Sequence, residues 1–363
     1  MILDAELPQA DSSPRRIVIE LTNICNLHCS YCLRDDEALY ETRARFFPIE
    51  LLRRILREAR EAAGVSHVSF TGGEPTLHPH FGDILATVAA EGMRAGFVTN
   101  GWHFDRVWPA IDTHRSAVSV VAVSIDGATR EAHDRWRGKG SFDRVIRAFT
   151  RCQMGRVPFA VKAVIRRDIV PQLQEIALLA ARLGAQALHF SHVLPTSGEV
   201  ETESAMSLEE RAHAEQEIAL LRQILKMPVA LDVGYVNTDP APPCAPLQGA
   251  SFSVDYQGRL SLCCNMSGFR GASLESDVVA DLSQESFSTA HARVQRLAIE
   301  QVARRAAALA AMAARGPEVD LRTGSPCLFC LQTFGKTPWR PTVAESLPAE
   351  SPQPRPGTVG NGN

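Results

Sequence analysis

Nine cysteines are spread unevenly along the 363 residues, and three of them form a tight Cys25-x3-Cys29-x2-Cys32 run. Three thiols so close leave one unpaired in any disulfide scheme, so the run reads as a metal centre. Three thiolates can hold three irons of a cubane iron–sulfur cluster, which leaves the fourth iron open to chelation by another molecule. A zinc site lacking one ligand is the plainer alternative. A second set lies far downstream: Cys244, Cys263, Cys264, Cys327 and Cys330. The remaining cysteine, Cys152, sits in a helical stretch and reads as a small buried hydrophobe.

Two further motifs accompany the first triplet. Phe70-Thr71-Gly72-Gly73-Glu74-Pro75 follows an apolar run, and Val123-Ser124-Ile125-Asp126-Gly127 ends another. Each alone is a turn after a strand. Together with Tyr31, the aromatic just before the third cysteine, they resemble the radical S-adenosylmethionine superfamily. The resemblance implies that Cys25, Cys29 and Cys32 bind a 4Fe–4S cluster whose open iron takes the amino and carboxylate groups of S-adenosylmethionine. An electron from the cluster would then cleave the sulfonium to a 5'-deoxyadenosyl radical. It also implies a cofactor pocket of Tyr31, Gly72, Gly73, Glu74, Asn100, Ser124 and Asp126. Glycines allow close backbone approach to a ligand, a carboxylate at Glu74 suits the methionyl ammonium, and Ser124 or Asp126 would meet the ribose.

The distal set, Cys244-x13-Gly258-x4-Cys263 followed by Cys327-x2-Cys330, resembles the SPASM extension of radical enzymes that modify peptides. It is truncated, with no cysteine after Cys330, as in the shorter twitch domain. That resemblance implies an auxiliary 4Fe–4S cluster on Cys244, Cys263, Cys327 and Cys330. Four cysteines also fit tetrahedral zinc. Cys264 competes with Cys263, because neighbours in a strand face opposite ways, and the spacing from Gly258 favours Cys263.

Positioning these residues requires a scaffold, and the chain alternates strand and helix from residue 15 to about 235. Strands are expected over 17–21, 65–70, 95–99, 118–125, 159–165 and 187–192, with a last long helix over 207–225. Helix 49–63 carries Leu51, Leu52, Ile55, Leu56 and Ala59 on one face and stops at Gly64. Repeated strand–helix units imply a parallel sheet with right-handed crossovers, here a partial (β/α)6 TIM-like barrel. The motifs fall after strand C-termini, where such sheets hold their chemistry. Asp239 to Pro243 reads as a linker to a smaller iron–sulfur region over 236–340, with a hairpin turning near Gly258 and a helix over 283–315. Residues 1–14 read as an N-terminal extension, and 341–363 as a disordered Pro/Gly-rich tail.

A net charge of -3 gives no electrostatic case for nucleic acid. No apolar stretch is long enough to span a membrane and no signal peptide is visible, and clustered cysteines suit a reducing cytoplasm. His78 and His80 read as exposed loop histidines, and Arg135 to Gly140 as a solvated basic loop. Thr99 and Asn100 either touch the cofactor or cap a turn. Lys162 and Arg166 are both candidates for the cofactor carboxylate.

The expected function is oxidative modification of a ribosomally made peptide, a cross-link or a related side-chain change, with the auxiliary cluster accepting the substrate's electron. A separate leader-binding protein and an external one-electron reductant of flavodoxin or ferredoxin type are the expected partners, since about fourteen residues before the first strand leave no room for a fused module. The alternative is a radical enzyme of small-molecule metabolism, for amino sugars or cofactors. A non-catalytic electron carrier or zinc-stabilised protein is the remote reading, and the Gly-Gly-Glu turn argues against it.

Overall fold

A computed structural model describes residues 15–34, 43–269 and 276–337. The expected extension over 1–14 and tail over 341–363 lie outside these residues.

Seven parallel strands come first: β1 (Arg16–Glu20), β2 (His67–Thr71), β3 (Arg94–Thr99), β4 (Val118–Ser124), β5 (Phe159–Ile165), β6 (Ala187–His192) and β7 (Val229–Val233). Between them run α1 (Ile49–Ala63), α2 (Phe81–Ala90), α3 (Phe104–Thr113), α4 (Arg130–Arg137), α5 (Ser141–Gly155), α6 (Leu173–Leu183), α7 (Gly198–Glu203) and α8 (Leu208–Ile224). Then come β8 (Ser251–Val254), β9 (Arg259–Ser261), β10 (Val278–Asp281), α9 (Phe287–Arg315), α10 (Leu321–Gly324) and α11 (Pro326–Thr333). The partial-barrel fold read from the sequence is the one observed.

Each strand presents one face to the helices. Ile17 and Ile19, Val121 and Val123, and Val161 and Ala163 are buried in the core. The alternate residues Ser124, Lys162 and His189 line the opposite face. Helix α1 buries Leu52, Ile55, Leu56, Ala59 and Ala63, while Leu51, expected on the same face, is only partly buried at the edge of the core. A capping box closes the start of α8, where Ser207 and Glu210 each bind the other's backbone amide.

Beyond the six expected strands, the sheet gains β7, a short run too polar at Asp232 to read as a buried strand. The larger departure concerns the downstream region. Its hairpin does not stand apart after a linker. Strand β8 pairs in parallel with β1, Arg16 opposite Ser251 and Ile19 opposite Val254, and β9 and β10 extend the sheet antiparallel. One ten-stranded sheet results, in the order β10-β9-β8-β1-β2-β3-β4-β5-β6-β7. The amide of Phe287 at the start of α9 donates to Glu58 of α1 at 2.6 Å, fastening the second region to the first helix. Among the described residues no helix is long and apolar enough to cross a membrane.

Gly64 ends α1 in the left-handed region at φ 64°, with nothing within 4 Å of where a Cβ would stand. Only backbone strain opposes a side chain there. Gly64→Ala should therefore lower the unfolding free energy by about 1 kcal/mol, read as a lower urea midpoint at unchanged slope.

Candidate active site

The loop of the first three cysteines is held by backbone. Past the end of β1 the Leu21 amide donates to Thr71 O at 2.9 Å. The Gly73 amide then donates to Thr22 O at 3.0 Å, and the Glu74 amide to Ile24 O at 2.9 Å. The β1–β2 ladder thus runs on into both loops. On the other side, Thr22 Oγ1 donates to Arg45 O at 2.8 Å and the Phe47 amide to Leu21 O at 2.9 Å. His78 braces that flank. It is buried, not exposed as its loop position suggested, and its Nε2 donates to Phe47 O at 3.1 Å. His80 is indeed exposed, beside Asp83.

The two glycines serve this contact. Gly72 sits at φ 129°, and a Cβ on it would lie 2.5 Å from Thr22 O. On Gly73 it would lie 2.0 Å from Ile24 O. The sequence suggested room for a ligand, but the backbone they admit is the cysteine loop itself.

Glu74 is buried, and its carboxylate is already well supplied with donors. Oε1 accepts from the Thr76 amide at 3.1 Å, Thr76 Oγ1 at 2.6 Å and Thr99 Oγ1 at 2.8 Å, while Oε2 accepts from the Asn100 amide at 2.8 Å. Burial raises its carboxyl, and these donors oppose the rise. Thr99 and Asn100 therefore tie the turn to the end of β3. The Asn100 side chain turns the other way, with Nδ2 3.1 Å from Asn26 Oδ1 and 3.8 Å from Cys25 Sγ.

The thiols of Cys25, Cys29 and Cys32 are free and half-buried. The Cys32 amide closes a turn on Cys29 O at 2.9 Å. Burial, followed by the charge of Glu74, pushes Cys25 up to about 12. Burial raises Cys29 too, and Arg137 opposes that rise. A cationic iron centre would relieve that cost, so the donor set fits an iron–sulfur cluster.

Behind Cys29 lies a charged assembly that the sequence did not reveal. Residues 130–137 form α4, capped by Thr129 on the Ala132 amide, and are not a solvated loop. Asp134 holds its far end by accepting from the amides of Gly140 at 2.6 Å and Phe142 at 2.8 Å. Arg137 points inward to Asp126, Nε to Oδ2 at 2.5 Å. Asp126 is fully buried, and it also accepts from the Tyr31 hydroxyl and from the Val164 amide at 3.1 Å. Against the desolvation that would raise it, Arg137 and Arg166 hold its carboxyl at about 2. Arg166 is wholly buried, stacked 4.1 Å from the Trp136 ring centroid and 4.6 Å from that of Tyr31. Asp126, expected at the ribose, is engaged with protein donors instead.

Lys162 occupies a different position. On the face opposite the helices, Ser124, Lys162 and His189 stand side by side in register on β4, β5 and β6. Asp232 on β7 completes the row, 3.4 Å from Lys162 Nζ and 2.9 Å from His189 Nδ1.

The distal cysteines lie on α11 and in the segments that follow β7 and β9. Cys327 and Cys330 lie one turn apart on α11. The Gly234 amide donates to Cys327 Sγ at 3.3 Å, and Gln301 Nε2 to Cys330 Sγ at 3.5 Å. Burial and then the charge of Cys327 push Cys244 up to about 12. Cys263 and Cys264 follow β9 in a turn, not in the strand itself, and their side chains are hydrogen-bonded to each other. Cys263 packs against the main core together with Cys244, Cys327 and Cys330, and Cys264 does not. Among the described residues no three His, Cys, Asp or Glu side chains are grouped as a single metal ion needs. The two cysteine regions meet through Arg34, which pairs with Glu20 at 2.6 Å, binds Ser267 O and bridges Phe269. Cys152 is buried in α5, as expected, and its thiol is pushed up to about 12 by burial alone.

Comparison with known proteins adds the following. The family described as the Radical SAM superfamily matches residues 19–165. The mycofactocin maturase MftC of Mycobacterium tuberculosis is 36% identical over 181 residues, 48% of this chain and 43% of that protein. An AdoMet-dependent heme synthase of Oleidesulfovibrio alaskensis is 29% identical over 192 residues, 51% of this chain and 48% of that one. The chain spans about half the length of the curated relatives it matches. The solved structure of native anSMEcpe with bound AdoMet and Cp18Cys peptide shares the fold at TM-score 0.63 and 16% identity, over 80% of this chain and 83% of that one.

Gly73→Ala should break the contact between turn and cysteine loop, since neither backbone can yield the missing space. Anaerobic reconstitution of the variant should leave the first site with less than half its iron while far-UV circular dichroism stays unchanged. Full iron loading would show that the loop tolerates the separation.

Proposed function

We infer, for a chain that belongs to the radical SAM superfamily through residues 19–165, that it modifies a ribosomally made peptide by hydrogen abstraction. Cys25, Cys29 and Cys32 would hold a 4Fe–4S cluster. When bound, the cluster and S-adenosylmethionine together supply a 5'-deoxyadenosyl radical. The observation that carries this reading is the continuous backbone ladder joining the cysteine loop to the Gly-Gly-Glu turn, with three free thiols beside it.

The chain's own residues divide the remaining work. Ser124 and Lys162, adjacent in register, suit the ribose and carboxylate of the cofactor. Arg166 is less suited, because it is stacked between two rings inside the protein. Glu74 and Asn100 hold the turn against the loop, and Asp126 positions Tyr31. Cys244, Cys263, Cys327 and Cys330, each partly buried against the main core, are the ligands proposed for an auxiliary 4Fe–4S cluster in a twitch-type domain. With all four irons ligated, that cluster would accept the substrate's electron. A flavodoxin- or ferredoxin-type reductant and a separate leader-binding protein complete the proposal, with the cytoplasm as its setting.

Similarity to a peptide maturase, and a shared fold with a peptide-bound enzyme, support the peptide as substrate. Similarity over the same half of the chain to a heme synthase favours a second reading, action on a small molecule.

Replacing Cys25, Cys29 and Cys32 together by Ala should abolish 5'-deoxyadenosine formation by the dithionite-reduced, reconstituted protein. Undiminished 5'-deoxyadenosine would remove the cluster assignment. Separately, wild-type protein should hold about eight irons, four per cubane, and the Cys327→Ala, Cys330→Ala variant about four. About four irons and one zinc in the wild type would make the second site a structural zinc centre.

A further inference from the structure

The assembly behind Cys29 has an unusual composition for a place so deep in the protein. Arg137 is 11% exposed at its side chain, and Arg166 and Asp126 are fully buried. Asp126 lies between the two guanidiniums, 2.5 Å from Arg137 Nε and 3.9 Å from Arg166 Nη1. Asp168, the other carboxylate in reach, stands on the outer side, 36% exposed and 3.3 Å from Arg166 Nε. His133 accepts from the Asp126 amide through Nδ1 and is kept neutral by burial, which holds it at about 4. Buried Arg166 Nη2 has no hydrogen-bond partner. Two cations therefore share one buried anion, and the second anion is partly in water.

Burying guanidinium charge is costly unless an anion meets it. The direction in which Arg137 faces indicates where that anion belongs. Arg137 Cζ lies 6.0 Å from the ring centroid of Tyr31, the residue around which Cys29 packs. Cys29, Trp136 and Val164 pack, partly buried, around the buried side chains of Tyr31, Val193 and Val200, so the interaction is less screened than one in open water.

We propose that Arg137, held in place by Asp126, sets the reduction potential of the cluster in the Cys25–Cys29–Cys32 loop by placing a fixed positive charge behind Cys29. This rests on the radical SAM reading above. Adding one electron to a thiolate-ligated cubane makes it more negative, and a nearby fixed cation favours the reduced state. Asp126 plays two opposed parts. It orients Arg137 and Tyr31, and its own charge partly cancels that of Arg137.

The two variants Arg137→Gln and Asp126→Asn should therefore shift the potential in opposite directions. An EPR-monitored redox titration of each reconstituted full-length variant would follow the signal that S-adenosylmethionine perturbs, which identifies this cluster. Arg137→Gln should move the midpoint to more negative potential, and Arg137→Lys should restore most of it. Asp126→Asn should move it to more positive potential. With Arg137→Gln, 5'-deoxyadenosine formation should fall at least tenfold with a flavodoxin-strength reductant and recover with excess titanium(III) citrate. Midpoints shifted the same way in both variants, or unchanged at wild-type iron content, would overturn the proposal. So would simple loss of iron in Arg137→Gln, because that marks a purely structural residue. A wild-type protein with no S-adenosylmethionine-sensitive signal would overturn the underlying cluster reading instead.

Discussion

Three backbone hydrogen bonds, from Leu21, Gly73 and Glu74, join the loop after β1 to the loop after β2. Much of the candidate site depends on them. A parallel ladder normally ends where its strands diverge, and here it continues into the loops after β1 and β2, so the cysteines take their positions from the sheet. The absence of side chains at Gly72 and Gly73 permits the contact. Glu74 then extends it to β3 through Thr99 and Asn100, and His78 closes the opposite flank against Phe47. Hydrogen bonds thus tie the first three strands and the cysteine loop together, the kind of support a reactive centre requires.

The barrel was legible in the sequence because its signals are local. Apolar β-branched runs, a helix stripe such as Leu52, Ile55, Leu56 and Ala59, and a stop at Gly64 need no knowledge of distant contacts. The motif cysteines were legible for the same reason, since three lie in one short run. The missed features are all made by pairs far apart in the chain. Arg137 sits in a polar helix with a single aromatic neighbour, and only its contact with Asp126 and Tyr31 distinguishes it from a surface arginine. His78 is identical in sequence terms to the exposed His80, two residues away, until Phe47 is placed beside it. Glycines at 72 and 73 announced a close approach but not the identity of the approaching backbone.

Strand register separates Lys162 from Arg166 where composition does not. They are four residues apart and both cationic, Lys162 at the middle of β5 and Arg166 just past its end. Register puts Lys162 beside Ser124 on the open face of the sheet, while Arg166 lies past the strand end between Trp136 and Tyr31. One lysine therefore remains half-open in a row of polar side chains, and the arginine belongs to the internal framework of the cysteine loop.

The pairing of β8 with β1 bears on how this chain can be made. Strand β1 is synthesised well before its partner on that side, which comes more than two hundred residues later in the chain. Throughout that interval the barrel can assemble on β2 through β7 while one edge of β1 keeps its amide and carbonyl groups unpaired. An open edge of this kind is a template for pairing with another chain. The small downstream region therefore covers the open edge of β1 as well as carrying the distal cysteines, and a chain shortened before Ser251 would expose a sticky edge next to the loop of Cys25, Cys29 and Cys32.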